Sequence, residues 1–192
     1  MKGLGNSEHL WNKFVPLAFH VDYWDYIGWK NPFASREYSQ RQRRYASAFD
    51  ESTVYTPGVR LGGKQWRRWY LNDVPDELES EKVGRITVVV TNSTEFVASS
   101  SQHDDAMQLN IAIFVLDMSC HIKRGENRGK TPQHDFVELG ISRYLSATVG
   151  QWRALLPEPS VVAGSYAMAV WITKGGSQRP IQATGGYLIA SN

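Results

Sequence analysis

Met107-Gln108-Leu109-Asn110-Ile111-Ala112-Ile113-Phe114-Val115 carries the clearest strand pattern in the sequence. Met107, Leu109, Ile111, Ile113 and Val115 alternate with their neighbours. Successive side chains of a strand point to opposite sides, so these five share one face. The strand character continues toward Met118, and four further runs carry it: 85–90, 136–146, 165–173 and 181–190. Gly- and Pro-bearing breaks, among them Gly175-Gly176 and Gly185-Gly186, are read as turns between strands. Residues 84–192 are therefore expected to form an antiparallel β region of about five strands, a sheet or sandwich.

Upstream the character differs. Phe14 to Val21 is a short apolar run that reads as a buried strand. An aromatic loop follows, with Tyr23, Trp24, Asp25, Tyr26, Ile27, Gly28 and Trp29. Ser35 is a candidate N-cap for a helix running to Ala46, with Tyr38, Gln42 and Tyr45 at i, i+4 and i+7 facing inward. Arg41, Arg43 and Arg44 then lie on a solvated face; contact with an anionic partner is the alternative. Segments 54–61 and 64–69 flank Gly62-Gly63 and read as a hairpin. Asp76 to Glu81 suggests a short closing helix after Pro75. Two parts are expected, 1–83 and 84–192, the second packed on the first.

Composition narrows the function. The chain has 192 residues, 42% hydrophobic and 21% charged, as in ordinary globular proteins. A net charge of +2 is too mild to argue for nucleic acid. No run approaches the roughly 20 apolar residues of a membrane span. The N-terminus lacks an apolar core of signal-peptide type, which places the chain, as written, in the cytoplasm. Phosphate-loop, nucleophile-elbow, His-Glu-x-x-His and dinucleotide-binding patterns are absent. Cys120 is the single cysteine, so a dithiol exchange cycle has no second sulfur. It reads as an inert thiol at the end of a strand; a reactive one would need an electropositive, partly exposed setting.

Residues 17–46, LAFHVDYWDYIGWKNPFASREYSQRQRRYA, followed by VYTPGVRLGGKQWRRWY at 54–70, form a distinctive pair of blocks. They resemble a family of bacterial exported proteins, domain of unknown function 1223, with a thioredoxin-like fold. IKRGENRGK at 122–130 resembles that family's later turn motif. The resemblance implies an α+β protein: an incomplete thioredoxin-like α/β part followed by the antiparallel β region. It also implies descent from exported, periplasmic or secreted thiol-disulfide oxidoreductase-like proteins. Their Cys-x-x-Cys strand and helix would precede residue 1, so the chain is expected to be N-terminally truncated and non-catalytic, without cofactor. Loss of that strand would leave unpaired backbone groups in the sheet, each costing about 1–3 kcal/mol when buried. A second copy of the chain is one way to fill the gap. The resemblance further implies a cis Thr56-Pro57 bond beside the missing cysteines, at a peptide-docking edge. Tyr55, Thr56 and Pro57, with His20 and Asp22, would then be a remnant active-site surround.

Other readings stand beside these. His20, Asp22 and Asp25 are a metal set lacking a fourth ligand, or structural groups bonding the aromatic loop. Tyr23, Trp24 and Trp29, with Tyr26, either seal the end of the sheet or anchor an unknown protein or peptide partner, or an envelope component. Trp66 and Trp69 either pack between the two parts or stack on a ligand. Arg124, Gly125, Glu126, Asn127 and Gly129 read as a structural turn.

Overall fold

The structure, a computed structural model, describes residues 4–67, 84–102, 106–125, 127–145 and 150–188. The expected closing helix at 76–81, together with Trp69 and Glu126, lies outside the described residues. Before residue 84 the chain forms β1 (His20–Val21), β2 (Ala34–Ser35), α1 (Arg36–Ala48), β3 (Arg60–Leu61) and β4 (Lys64–Gln65). After it come β5 (Ile86–Val90), β6 (Glu95–Ser100), β7 (Met107–Val115), β8 (Met118–Ser119), β9 (Gln133–His134) and β10 (Val137–Leu145). β11 (Gln151–Leu155), β12 (Tyr166–Lys174) and β13 (Pro180–Leu188) complete the order.

The core is a sandwich. A four-stranded antiparallel sheet, ordered β10-β7-β12-β13, faces a three-stranded one, β11-β6-β5. Leu109, Ile111, Val170 and Ile172 from the first meet Phe96, Ala98, Ile86 and Trp152 from the second. Each large apolar side chain fully buried this way contributes roughly 1.5–3 kcal/mol. β7 lies at the centre of the first sheet, and its other face is buried as well. Ala112, Phe114, Ala169 and Trp171 are covered there by Leu10, Trp11, Phe14, Val15, Leu17 and Phe19. This second face explains why the β7 sequence is apolar almost throughout and not only at alternate positions.

The expected α+β architecture with a thioredoxin-like part is overturned. Strands in antiparallel sheets dominate, and α1 is the one α-helix among the described residues. The run 14–21 builds no thioredoxin-type sheet: Phe14 bridges Leu10, Ala18 bridges Val137, and His20 and Val21 pair in parallel with Ala34 and Ser35. Its apolar side chains cover the large sheet instead of lying within one. Among the described residues there is thus no thioredoxin-type sheet whose centre another chain would fill. Gly185-Gly186 is also not a turn but lies inside β13. A Cβ at Gly185 would come within 2.9 Å of Val15 and 3.0 Å of Trp11, so the glycine admits the N-terminal segment.

Helix α1 begins as its sequence predicts. The Ser35 hydroxyl accepts from the Glu37 amide at 3.2 Å, capping the first turn. Gly62 and Gly63, with φ of 55° and 87°, close the β3–β4 hairpin. The inward face of α1 is rotated from expectation: Ser39, Arg41 and Ala46 are its buried residues, and Tyr38, Gln42 and Tyr45 are half-buried. Arg41 is not on the solvated face; Arg43 is.

Candidate functional site

The aromatic loop and the 53–58 segment converge on one residue of α1. Tyr23 donates its hydroxyl proton to Gln42 Oε1 at 3.0 Å, and Gln42 Nε2 donates to the Tyr55 carbonyl at 2.7 Å. The Trp24 ring lies 5.7 Å from that of Tyr23 and stacks on Tyr26 at 6.2 Å. Trp24 is 46% exposed, Tyr26 77% and Ile27 55%. Val54 and Tyr55 are also exposed, on the segment that Gln42 joins to the aromatic loop. Trp29 is half-buried.

Ser52 to Gly58 is exposed throughout, and Thr56-Pro57 is cis. Among the described residues, the amides of Thr53 to Thr56 donate no backbone hydrogen bond. Behind this segment Arg60 Nη1 donates to Glu51 Oε1 at 2.7 Å, and the second guanidinium nitrogen meets Oε2. A bidentate pair of this kind holds the base of the segment. The cavity between them is only about 10 Å³, enough for no more than a water. Any ligand here would lie on the surface.

The loop is carried by a second turn. Arg128 N donates to the Gly125 carbonyl at 3.1 Å, and Gly129 N to the Ile122 carbonyl at 2.8 Å. Asn127 Oδ1 accepts from Lys130 Nζ at 2.8 Å. This places Gly125 directly against Ile27 and Gly28. Arg124 is exposed.

His20 and Asp22 do not form one group. Asp22 turns to α1: its amide donates to Ser39 Oγ at 3.0 Å, and that hydroxyl donates back to Asp22 Oδ1. Asp25 Oδ1 accepts from the Asn31 amide at 3.2 Å. The His20 ring instead accepts at Nδ1 from Asn31 Nδ2 at 2.8 Å and stands 5.1 Å from the His134 ring. Burial first, and then the neighbouring His134, push its pKa down to about 4, so it is neutral at pH 7.

His134 carries no signal in the sequence that ties it to Cys120 or His20. It comes from β9, which pairs with β8 and so brings its Nε2 to 3.1 Å from Cys120 Sγ. Burial lowers the His134 pKa and raises that of Cys120. The pair is thus a neutral thiol hydrogen-bonded to a neutral imidazole, without the positive charge that makes a thiolate. Among the described residues no group of three or more His, Cys, Asp or Glu is arranged to hold a metal ion. No helix among them is long and apolar enough to cross a membrane.

A family described as Protein of unknown function (DUF1223) matches residues 1–173. The chain belongs to this family. Its fold is similar to that of protein AGR_C_4864 from Agrobacterium tumefaciens, known from an X-ray crystal structure. The TM-score is 0.58 at 20% identity, over 92% of this DUF1223 chain and 81% of the other. Identity that low speaks for the fold alone. The search of curated proteins finds no match.

Proposed function

We propose that this DUF1223 chain is a non-catalytic binding module that takes an extended, apolar peptide segment along Thr53 to Gly58. One observation carries the reading: exposed backbone with free amides lies beside exposed aromatics, joined to them through Gln42. Backbone groups on an extended edge supply affinity for a peptide main chain, and neighbouring side-chain surfaces supply selectivity. Trp24 and Tyr26 offer large contact area at small cost in side-chain entropy, as interface anchors do. Because Arg60 is already paired with Glu51, the surface favours a neutral partner over a charged one. A redox reading has less to work with, since dithiol exchange needs two sulfurs and Cys120 is single and held neutral.

The test is titration of the ¹⁵N-labelled chain with unstructured peptides rich in Val, Leu and Phe. Amide shifts confined to 23–28 and 53–58 are expected. Trp24→Ala combined with Tyr26→Ala should weaken binding about tenfold or more. Shifts elsewhere, or affinity unchanged in the double variant, would overturn the proposal.

A further inference from the structure

A different part of α1 carries a second site. Arg41 is only 8% exposed, yet among the described residues its one hydrogen bond runs from Nη2 to Tyr45 Oη at 3.2 Å. Its guanidinium is flanked by the rings of Phe19, Tyr45 and Trp171, with centroids at 4.7, 5.2 and 5.3 Å. These contacts offset part of its desolvation, and of the five guanidinium N–H donors one is given to Tyr45 among the described residues. A buried charge is costly unless it is paired and hydrogen-bonded.

The donors line a small pocket at the start of β7 and the end of β12. Arg143 from β10 lines it too, with Asn110, Thr173 and Gln178. Asn110 Nδ2 donates to Thr173 Oγ1 at 3.3 Å, so the Thr173 hydroxyl keeps its own proton to give. Two carboxylates stand near. Glu138 faces Arg41 but makes no ion pair with it among the described residues; its polar neighbours are Tyr38 and the Gly140 backbone. Glu37 reaches Arg143 Nη2 at 3.4 Å, and both side chains are at least one-third exposed. An exposed pair of this kind is weak and exchangeable. The cavity, about 20 Å³ and open to solvent, holds one or two water-sized groups. That suits two carboxylate oxygens better than a tetrahedral phosphate.

We propose that this pocket binds the carboxylate of a small organic acid, held between the Arg41 and Arg143 guanidinium groups with the Thr173 hydroxyl as a third donor. Planar forks of this type match a carboxylate bidentately. The site is independent of the peptide surface, because its residues are not those of the 23–28 and 53–58 segments.

The probes are sodium acetate and sodium phosphate, each added to the ¹⁵N-labelled full chain at constant ionic strength against sodium chloride. Acetate should give saturable shifts of the Arg41 Nε–H, the Asn110 side-chain amide and the Thr173 amide. Arg143→Gln replaces a half-exposed residue, so the fold should persist, and acetate should then bind about tenfold more weakly. Thr173→Val, which keeps the side-chain shape, should weaken it to a smaller extent. No saturable response to acetate, a stronger response to phosphate, or equal acetate affinity in Arg143→Gln would overturn the assignment.

Discussion

Gly28 and Gly125 meet backbone to backbone: a Cβ on Gly28 would lie 3.4 Å from the Gly125 Cα, and one on Gly125 would lie 3.3 Å from the Ile27 carbonyl oxygen. Both have positive φ, 111° and 81°. The aromatic loop is therefore seated on Gly125 so closely that a Cβ there would make the Ile27 carbonyl give by a few tenths of an ångström.

Replacement of Gly125 by alanine should cost about 1–2 kcal/mol from the left-handed backbone alone, and more from the contact. It should also weaken peptide binding, because it displaces Trp24 and Tyr26. Gly129 has φ of 85° but open space around it. Gly129→Ala should cost stability to a similar degree and leave binding intact. Urea unfolding of both variants, alongside the peptide titration, separates the two effects.

Stability should depend on pH through two opposed groups. Glu138 is 2% exposed, and burial, its largest influence, lifts its pKa to about 7 from an ordinary 4.5. The folded chain holds this proton after the unfolded chain has lost it. Stability from Glu138 is thus full below pH 4.5 and is lost as pH rises toward 7, by about 3 kcal/mol in all. His20 runs the other way: its pKa of about 4 lies below the ordinary 6.5, so its contribution is full above 6.5 and lost toward pH 4. His134, lowered by burial, adds to this rising side. Between pH 4.5 and 6.5 the Glu138 and His20 contributions nearly cancel, and His134 leaves the wild-type profile rising gently with pH. Glu138→Gln should make stability rise with pH there, whereas His20→Gln should tilt it downward. Chemical denaturation across pH 4–8 reads all three curves.

The reciprocal bonds between Ser39 and Asp22 tie α1 to the start of the aromatic loop. Ser39 is almost wholly buried. Ser39→Ala leaves the Asp22 amide and carboxylate without these partners and should cost about 1–3 kcal/mol. Ser39→Thr keeps the hydroxyl and should recover part of that loss, as measured by denaturant midpoint.

Cys120 should behave as a thiol, not a thiolate. Its pKa is raised by burial, so reaction with a disulfide reagent at pH 7 should be slower than that of free cysteine. The rate should climb with pH without a plateau near neutrality, and the chain should not catalyse insulin reduction by dithiothreitol. A plateau near pH 7 would instead reveal activation by His134.

The long strands of the large sheet, the Ser35 cap with its helix, and the Gly62-Gly63 hairpin are all legible in the sequence. Each rests on a local rule: alternation, a side-chain bond to a free amide, or a backbone angle that glycine allows. The sequence did not reveal β6 and β11, most of whose residues are small or polar and whose pattern depends on Phe96 and Trp152 meeting the other sheet. Nor did it reveal the role of the 14–21 run. Apolar composition says that such a segment is buried, but not whether it is a strand inside a sheet or a cover across one, and here the face of β7 and β12 made it a cover. The candidate sites divide in the same way. Exposed Trp24 and Tyr26 were legible as aromatics in a loop, whereas the Gln42 bridge, the Cys120–His134 pair and the burial of Arg41 join residues distant in the chain. Only tertiary packing decides such contacts, because no local pattern encodes which surface a side chain will meet.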